Sequence, residues 1–123
     1  MAWKAQGLAQ AMRAAALDEI RKGLEELVLP VAQARCPKDS GLTAESGAVD
    51  ELEGGKGVQI SFKSDVRFDT EQWGEVDLAF WLHENFSYTP RVAGTGPKYL
   101  EIPFAENSPE ILARVEARLQ TIG

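Results

Sequence analysis

The sequence contains one cysteine and one histidine in 123 residues. With Cys36 alone, an internal disulfide is excluded, and a reducing compartment is expected. With His83 alone, a zinc site is short of ligands, because such sites take three or four from His, Cys and carboxylates. The HExxH spacing is missing as well, since His83-Glu84 runs on into Asn85-Phe86-Ser87. No apolar run approaches the roughly 18 residues of a membrane span. Met1-Ala2-Trp3-Lys4-Ala5 lacks the charged-then-apolar pattern of a signal peptide. Gly94 and Gly96 are not followed by the Lys-Ser/Thr that ends a phosphate-binding loop. Lys and Arg form no large cluster, and Trp3, Trp73 and Trp81 stand far apart, with Lys4 beside Trp3 as the one adjacent basic residue. Strong phosphate binding, sequence-specific nucleic-acid binding and base stacking are therefore not expected.

What is present is the composition of one globular domain spanning residues 1–123, with 44% hydrophobic and 26% charged residues. The net charge of −6 is unevenly spread. Residues 1–36 carry five basic and four acidic groups, residues 37–84 four basic and eleven acidic, and residues 85–123 four of each. The acidic middle is either a solvated face or a surface that repels DNA or meets a basic partner.

Trp3 to Leu29 reads as one long helix, rich in Ala, Leu, Glu, Lys and Gln. Leu17, Ile20, Leu24, Leu27, Val28 and Val31 form its apolar stripe, extended less strongly by Leu8, Met12 and Ala15. Gly23 weakens it by about 1 kcal/mol relative to Ala. Pro30 should kink or end it, with a last turn reaching Arg35 before Pro37. Ser46 to Leu52 is a strand with Ala48 and Leu52 as inward candidates. Glu53-Gly54-Gly55-Lys56-Gly57 is a turn, and Val58-Gln59-Ile60-Ser61-Phe62 is a half-buried strand completing a hairpin. Val66 and Phe68 extend the alternation, and Asp69 to Glu75 is polar and turn-like. Val76 to His83 is a strand, or a strand leading into a helical turn. Asn85 to Pro97 is a loop of the size that often carries function. Ser108 as N-cap and Pro109 at the first helical position open a second helix with Ile111, Leu112, Val115 and Leu119 on its apolar face. Helix one should pack Leu17, Ile20, Leu24 and Val28 on a sheet containing Val58, Ile60 and Phe62.

Catalytic chemistry finds little support. Cys36 with His83 as its base lacks any third partner, and a helix C-terminus disfavours a thiolate. Asp39 and Ser40 read as turn chemistry, bonding nearby backbone amides. No catalytic residue, metal ligand or cofactor site is expected.

Three ordered motifs point elsewhere. Pro37-Lys38-Asp39-Ser40-Gly41-Leu42, with Ser46 four residues on, resembles the Pro-x-Asp-Thr-Gly-x-Leu-x-x-Ser signature of the small neck proteins of long-tailed bacteriophages. These are the minor capsid, tail-completion or head–tail joining proteins. Leu78-Ala79-Phe80-Trp81-Leu82-His83-Glu84 and Lys98-Tyr99-Leu100-Glu101-Ile102-Pro103-Phe104 are similar to that family's later elements. Ser40 stands where Thr is commoner, and Thr43-Ala44-Glu45 lacks the basic residue often found there.

The resemblance implies an α+β fold, a curved antiparallel β-sheet packed by a long N-terminal and a C-terminal helix. It implies assembly rather than a reaction: a homo-oligomeric ring of six or twelve copies in the virion neck, formed in the host cytoplasm. Such a ring lies between the portal or adaptor and the tail-tube or tail-terminator proteins and continues the DNA channel. Interaction residues carried over are Pro37, Asp39, Ser40, Gly41, Leu42, Ser46, Ala79, His83, Glu84, Lys98, Tyr99, Leu100 and Pro103. On electrostatic grounds Asp50, Glu51 and Glu53 are expected to face the channel, because an acidic wall does not retain a polyanion. The competing class is a small acidic binding or regulatory module without catalysis, which accounts for the acidity but not for the three motifs.

Overall fold

The good helix formers of the first 35 residues wind into one rod. The computed structural model describes residues 5–37, 42–88 and 94–122. The rod comprises α1 (Ala5–Gly23), one π-helical turn (Leu24–Val28) and α2 (Leu29–Arg35). Pro30 is the physical reason for the middle part. Its ring crowds the carbonyl four residues back, that of Glu26, and it has no N–H to donate there. The widened turn accommodates this: the Leu29 N–H donates to the Leu24 carbonyl, five residues back instead of four. The rod thus continues past Pro30 to Arg35. The Cys36 N–H closes it on Ala32 O at 2.8 Å.

A short helix, α3 (Leu42–Glu45), leads into β1 (Ala48–Glu51), which pairs antiparallel with β2 (Val58–Ser61). Gly54 and Gly55 turn this hairpin with φ of 73° and 67°, a region open chiefly to glycine. A second antiparallel hairpin follows, β3 (Arg67–Thr70) with β4 (Gly74–Asp77). The fold class is α+β, and among the described residues its β part is two separate two-stranded sheets. The alternation through Val58 and Ile60 therefore does not run on through Phe68 in one sheet. The Ser64 N–H donates to Asp77 Oδ2 at 3.2 Å, where the chain turns from one hairpin to the next.

β4 runs directly into α4 (Leu78–Glu84), the second of the two readings of that stretch. Asp77 makes the switch by capping α4, its carboxylate accepting the Phe80 N–H at 2.8 Å. The last helix, α5, spans Glu101–Gln120 and starts eight residues earlier than Ser108-Pro109 signalled. The proline in the first helical turn is Pro103, where no N–H is needed. Pro109 sits inside the helix. Around it, Ser108 Oγ donates to Phe104 O at 2.6 Å and Asn107 Nδ2 to Pro103 O at 2.8 Å. Ser108 is therefore no cap.

Two cores form. The aliphatic one centres on Leu24, Val28 and Ile111, with Ile20, Leu27, Val49, Val58 and Ile60 against it. Strand pairing sets Val49 opposite Ile60, so Val49 rather than Ala48 joins this core, and Leu52 is left exposed. Val31 is exposed as well. The second core contains Cys36, Ala44, Leu82 and Tyr99, and Phe62 turns to it instead of to the first. Gly23 lets α5 approach α1: a Cβ there would lie 2.6 Å from Ile111 Cγ1. The two helices run antiparallel, with Arg118 bonded to Glu19 and Arg114 to Glu26.

Candidate functional site

The second core gathers parts of all three sequence motifs. Tyr99 is 2% exposed and donates its hydroxyl to the Ala79 carbonyl at 2.8 Å. Its ring meets Phe62 and His83 edge to face, at 5.2 and 5.1 Å between centroids. Cys36, fully buried, ends α2 against the same cluster, and the Gly96 N–H donates to Arg35 O at 3.0 Å. Pro37 is also buried. The loop after α2, the end of α4 and the start of α5 thereby form one packed junction.

His83 joins α4 to α5. Its Nε2 accepts the Glu101 N–H at 3.1 Å, and its Nδ1 lies 3.3 Å from Glu84 Oε1. An accepting Nε2 requires the proton on Nδ1, which then donates to Glu84. The imidazole thus supplies the cap that Leu100, at the N-cap position, cannot give. The Lys98 N–H donates to His83 O at 2.7 Å, and Lys98 Nζ bonds Glu84 and lies 3.2 Å from Glu101. Lys98 has φ of 58°, a left-handed conformation that a non-glycine residue adopts at some cost. These backbone and side-chain bonds hold it there.

Electrostatics follow from the same contacts. The Lys98 ammonium, then His83, hold the Glu84 carboxyl below its ordinary value against the opposing effect of burial. Glu84, then Glu101, hold Lys98 above its own. Burial drives the Tyr99 phenol far up, and the Cys36 thiol beside it adds to the effect. Burial raises Tyr88 to about 12. Its ring stacks on Trp81, and its hydroxyl donates to Leu82 O. The His83 nitrogens, the Lys98 ammonium and the Tyr99 hydroxyl all bond within the protein, so the junction is suited to bracing three segments.

Of the interaction residues carried over from the resemblance, Ala79, His83, Glu84, Lys98, Tyr99 and Leu100 lie at this junction. Pro103 is buried in the first turn of α5. Ser46 stands at a separate joint, donating to Thr43 O at 2.6 Å and accepting the Lys63 N–H at 2.9 Å. It ties α3 to the first hairpin. Asp39, Ser40 and Gly41 lie outside the described residues, as does the side chain of Leu42. With Pro37 and Ser46 in register, the signature's leucine falls on Thr43, which is 4% exposed, and not on Leu42. Thr43, Ala44 and Leu82 are not singled out by the sequence as site residues, and Phe62 is expected under helix one instead of beside Tyr99. The apolar spacing within Leu78–Leu82 was the one signal for Leu82.

Asp50, Glu51 and Glu53 are exposed at the far end of the first hairpin. Glu51 Oε1 lies 3.7 Å from Arg21 Nε, an ion pair too long for a hydrogen bond. His83 lines two clefts, of about 450 and 390 Å³, one beside Arg67, Glu75 and Asp77 and the other beside Val58, Ile60 and Phe104. Among the described residues no group of three or more His, Cys, Asp or Glu is placed to hold a metal ion. No helix among them is long and apolar enough to cross a membrane. No known protein family, curated protein or solved structure matches the chain.

Proposed function

We propose that this chain is a structural protein of the neck of a long-tailed bacteriophage. It forms a ring of six or twelve copies that joins the DNA-filled head, at its portal or adaptor, to the tail tube or tail terminator. The observation that carries this reading is the convergence at Tyr99. Segments around Cys36-Pro37, Ala79–Glu84 and Lys98–Pro103 are far apart in sequence, yet they share one core and its polar bonds. They are also the segments that carry the resemblance. A small acidic binding module gives no reason for these three motifs to meet. The work assigned here is mechanical and requires no reaction and no cofactor. Ring subunits meet head to tail, so each needs two different faces held in fixed relation, which a braced junction provides.

A phage lacking this protein should accumulate DNA-filled heads and finished tails that stay separate, and purified protein should restore joining. Normal joining in its absence would contradict the reading.

Within this reading, the first hairpin's acidic end belongs to the channel wall. A basic wall would hold DNA through counterion release, and an acidic one does not. Replacing Asp50, Glu51 and Glu53 together by Lys should leave the subunit folded and particles assembled, with DNA ejection slowed or incomplete. Normal ejection from assembled particles would remove these three residues from the wall and leave solvation as their role.

A further inference from the structure

Two apolar surfaces of different shape lie uncovered on this chain. The first is a groove of about 250 Å³ between α1 and α5, lined by Ile20, Leu24, Phe104, Ser108, Ile111 and Leu112. Its lip is apolar, with Phe104 45% and Leu112 62% exposed. The second is the beginning of α1. Residues 7–14 are all exposed, and burial begins only at Ala15. The cause is the antiparallel packing: Arg118 sits beside Asp18 and Glu19, and α5 ends at Gln120. The first turns of α1 overhang it. Leu8 and Met12, one turn apart, share a face of this overhang and are 49% and 38% exposed. Met12 also lies about 120° around the helix from Leu24, so it is off the face that α5 covers.

The charges of the two surfaces are complementary. Lys4 and Arg13 are the only charged side chains in residues 1–17. Arg13 donates to a backbone carbonyl, that of Gly55, rather than to a carboxylate. The groove has an acid at either end, since helical spacing sets Glu101 one turn before Phe104 and Glu116 one turn beyond Leu112. Glu116 makes no ion pair among the described residues.

We propose that the α1 overhang of one copy docks in the α1–α5 groove of a second copy, with Leu8 and Met12 entering the groove and Arg13 meeting Glu116. A chain cannot plug its own groove, because Leu24 lies about 18 Å along the helix from Met12. Each copy therefore gives one surface and accepts the other, a heterologous contact that propagates or closes into a ring. The contact needs only two copies of this chain and stands apart from the neck reading.

Disulfide trapping tests it, with the native Cys36 thiol fully buried. Met12→Cys and Leu112→Cys proteins are mixed and oxidised with copper phenanthroline, beside a control mixture of Gln10→Cys and Leu112→Cys. Gln10 is on the same overhang but turned about 160° from Met12. Circular dichroism checks that every variant is folded. The Met12→Cys/Leu112→Cys heterodimer should form about tenfold faster than the control, as a preformed contact raises the local thiol concentration. It should also outrun both homodimers, and adding Leu8→Asp to the Met12→Cys protein should abolish the excess. Equal rates for the two mixtures, or homodimers as the faster products, would overturn the proposal.

Discussion

The two cores of this protein are built on different principles. Around Leu24, Val28 and Ile111, aliphatic side chains from two antiparallel helices and one hairpin pack together. Around Tyr99, four segments meet through an aromatic ring, a thiol, a small alanine and a set of directed hydrogen bonds. The first core follows from the periodicity of its elements. The second joins short helices and chain segments at helix ends, held together by directed hydrogen bonds. The difference teaches where tolerance lies: aliphatic packing accepts substitutions of similar volume, whereas a hydrogen-bonded junction depends on particular atoms.

Truncation should break both cores. Tyr99→Ala is expected to cost about 3–5 kcal/mol and Leu24→Ala about 2–5 kcal/mol, measured by denaturant unfolding. A single transition in both variants would show that the cores unfold together, and separate transitions would show that they do not. Gly23→Ala comes next. Helix propensity alone favours it by about 1 kcal/mol. The new methyl would lie 2.6 Å from Ile111, so a net loss of about 1–3 kcal/mol is expected instead. A stabilised variant would mean that α1 and α5 are less tightly apposed.

A smaller effect sharpens the contrast. Tyr99→Phe keeps the ring and removes only the bond to Ala79 O, for a cost of about 1 kcal/mol. A neutral result would make Tyr99 a packing residue like Leu24.

The smallest effect concerns the ion pair. Glu84 is held below its ordinary value of 4.5, so its stabilisation is present above that pH and lost as pH falls through the depressed value. Lys98 is held above 10.5, so its share persists to alkaline pH and is lost only beyond. The melting temperature of the protein should therefore exceed that of the Glu84→Gln variant at neutral pH. The gap should close as pH falls below 4.5. A gap independent of pH would assign Glu84 a role other than charge.

These differences also mark how far the sequence could be read. The 3.6-residue stripe through Ile20, Leu24 and Val28 and the alternation of Val58 and Ile60 announce the aliphatic core. Pro30 announces its own perturbation, though not that the helix would absorb it with a π turn. Ser108-Pro109 has the local form of a helix start and misleads, because the true start is set by His83, a contact 18 residues back in the chain. Leu8 and Met12 continue an apolar pattern that their own chain does not cover. Gly23 reads as a weak point in a helix until the approach of Ile111 explains it. At the junction, His83, Glu84, Lys98 and Tyr99 stand out in the sequence only as parts of separate motifs, which does not say which of them touch. No spacing rule predicts that Lys98 meets Glu84 or that Tyr99 reaches Ala79.

The most direct test of the neck reading is a count. DNA-filled heads lacking this protein can be incubated with it, purified and weighed by native mass spectrometry or imaged by electron cryomicroscopy. The account predicts six or twelve copies in a ring at the portal vertex, coaxial with the DNA channel. Heads that bind no copies, or copies scattered over the shell, would contradict it.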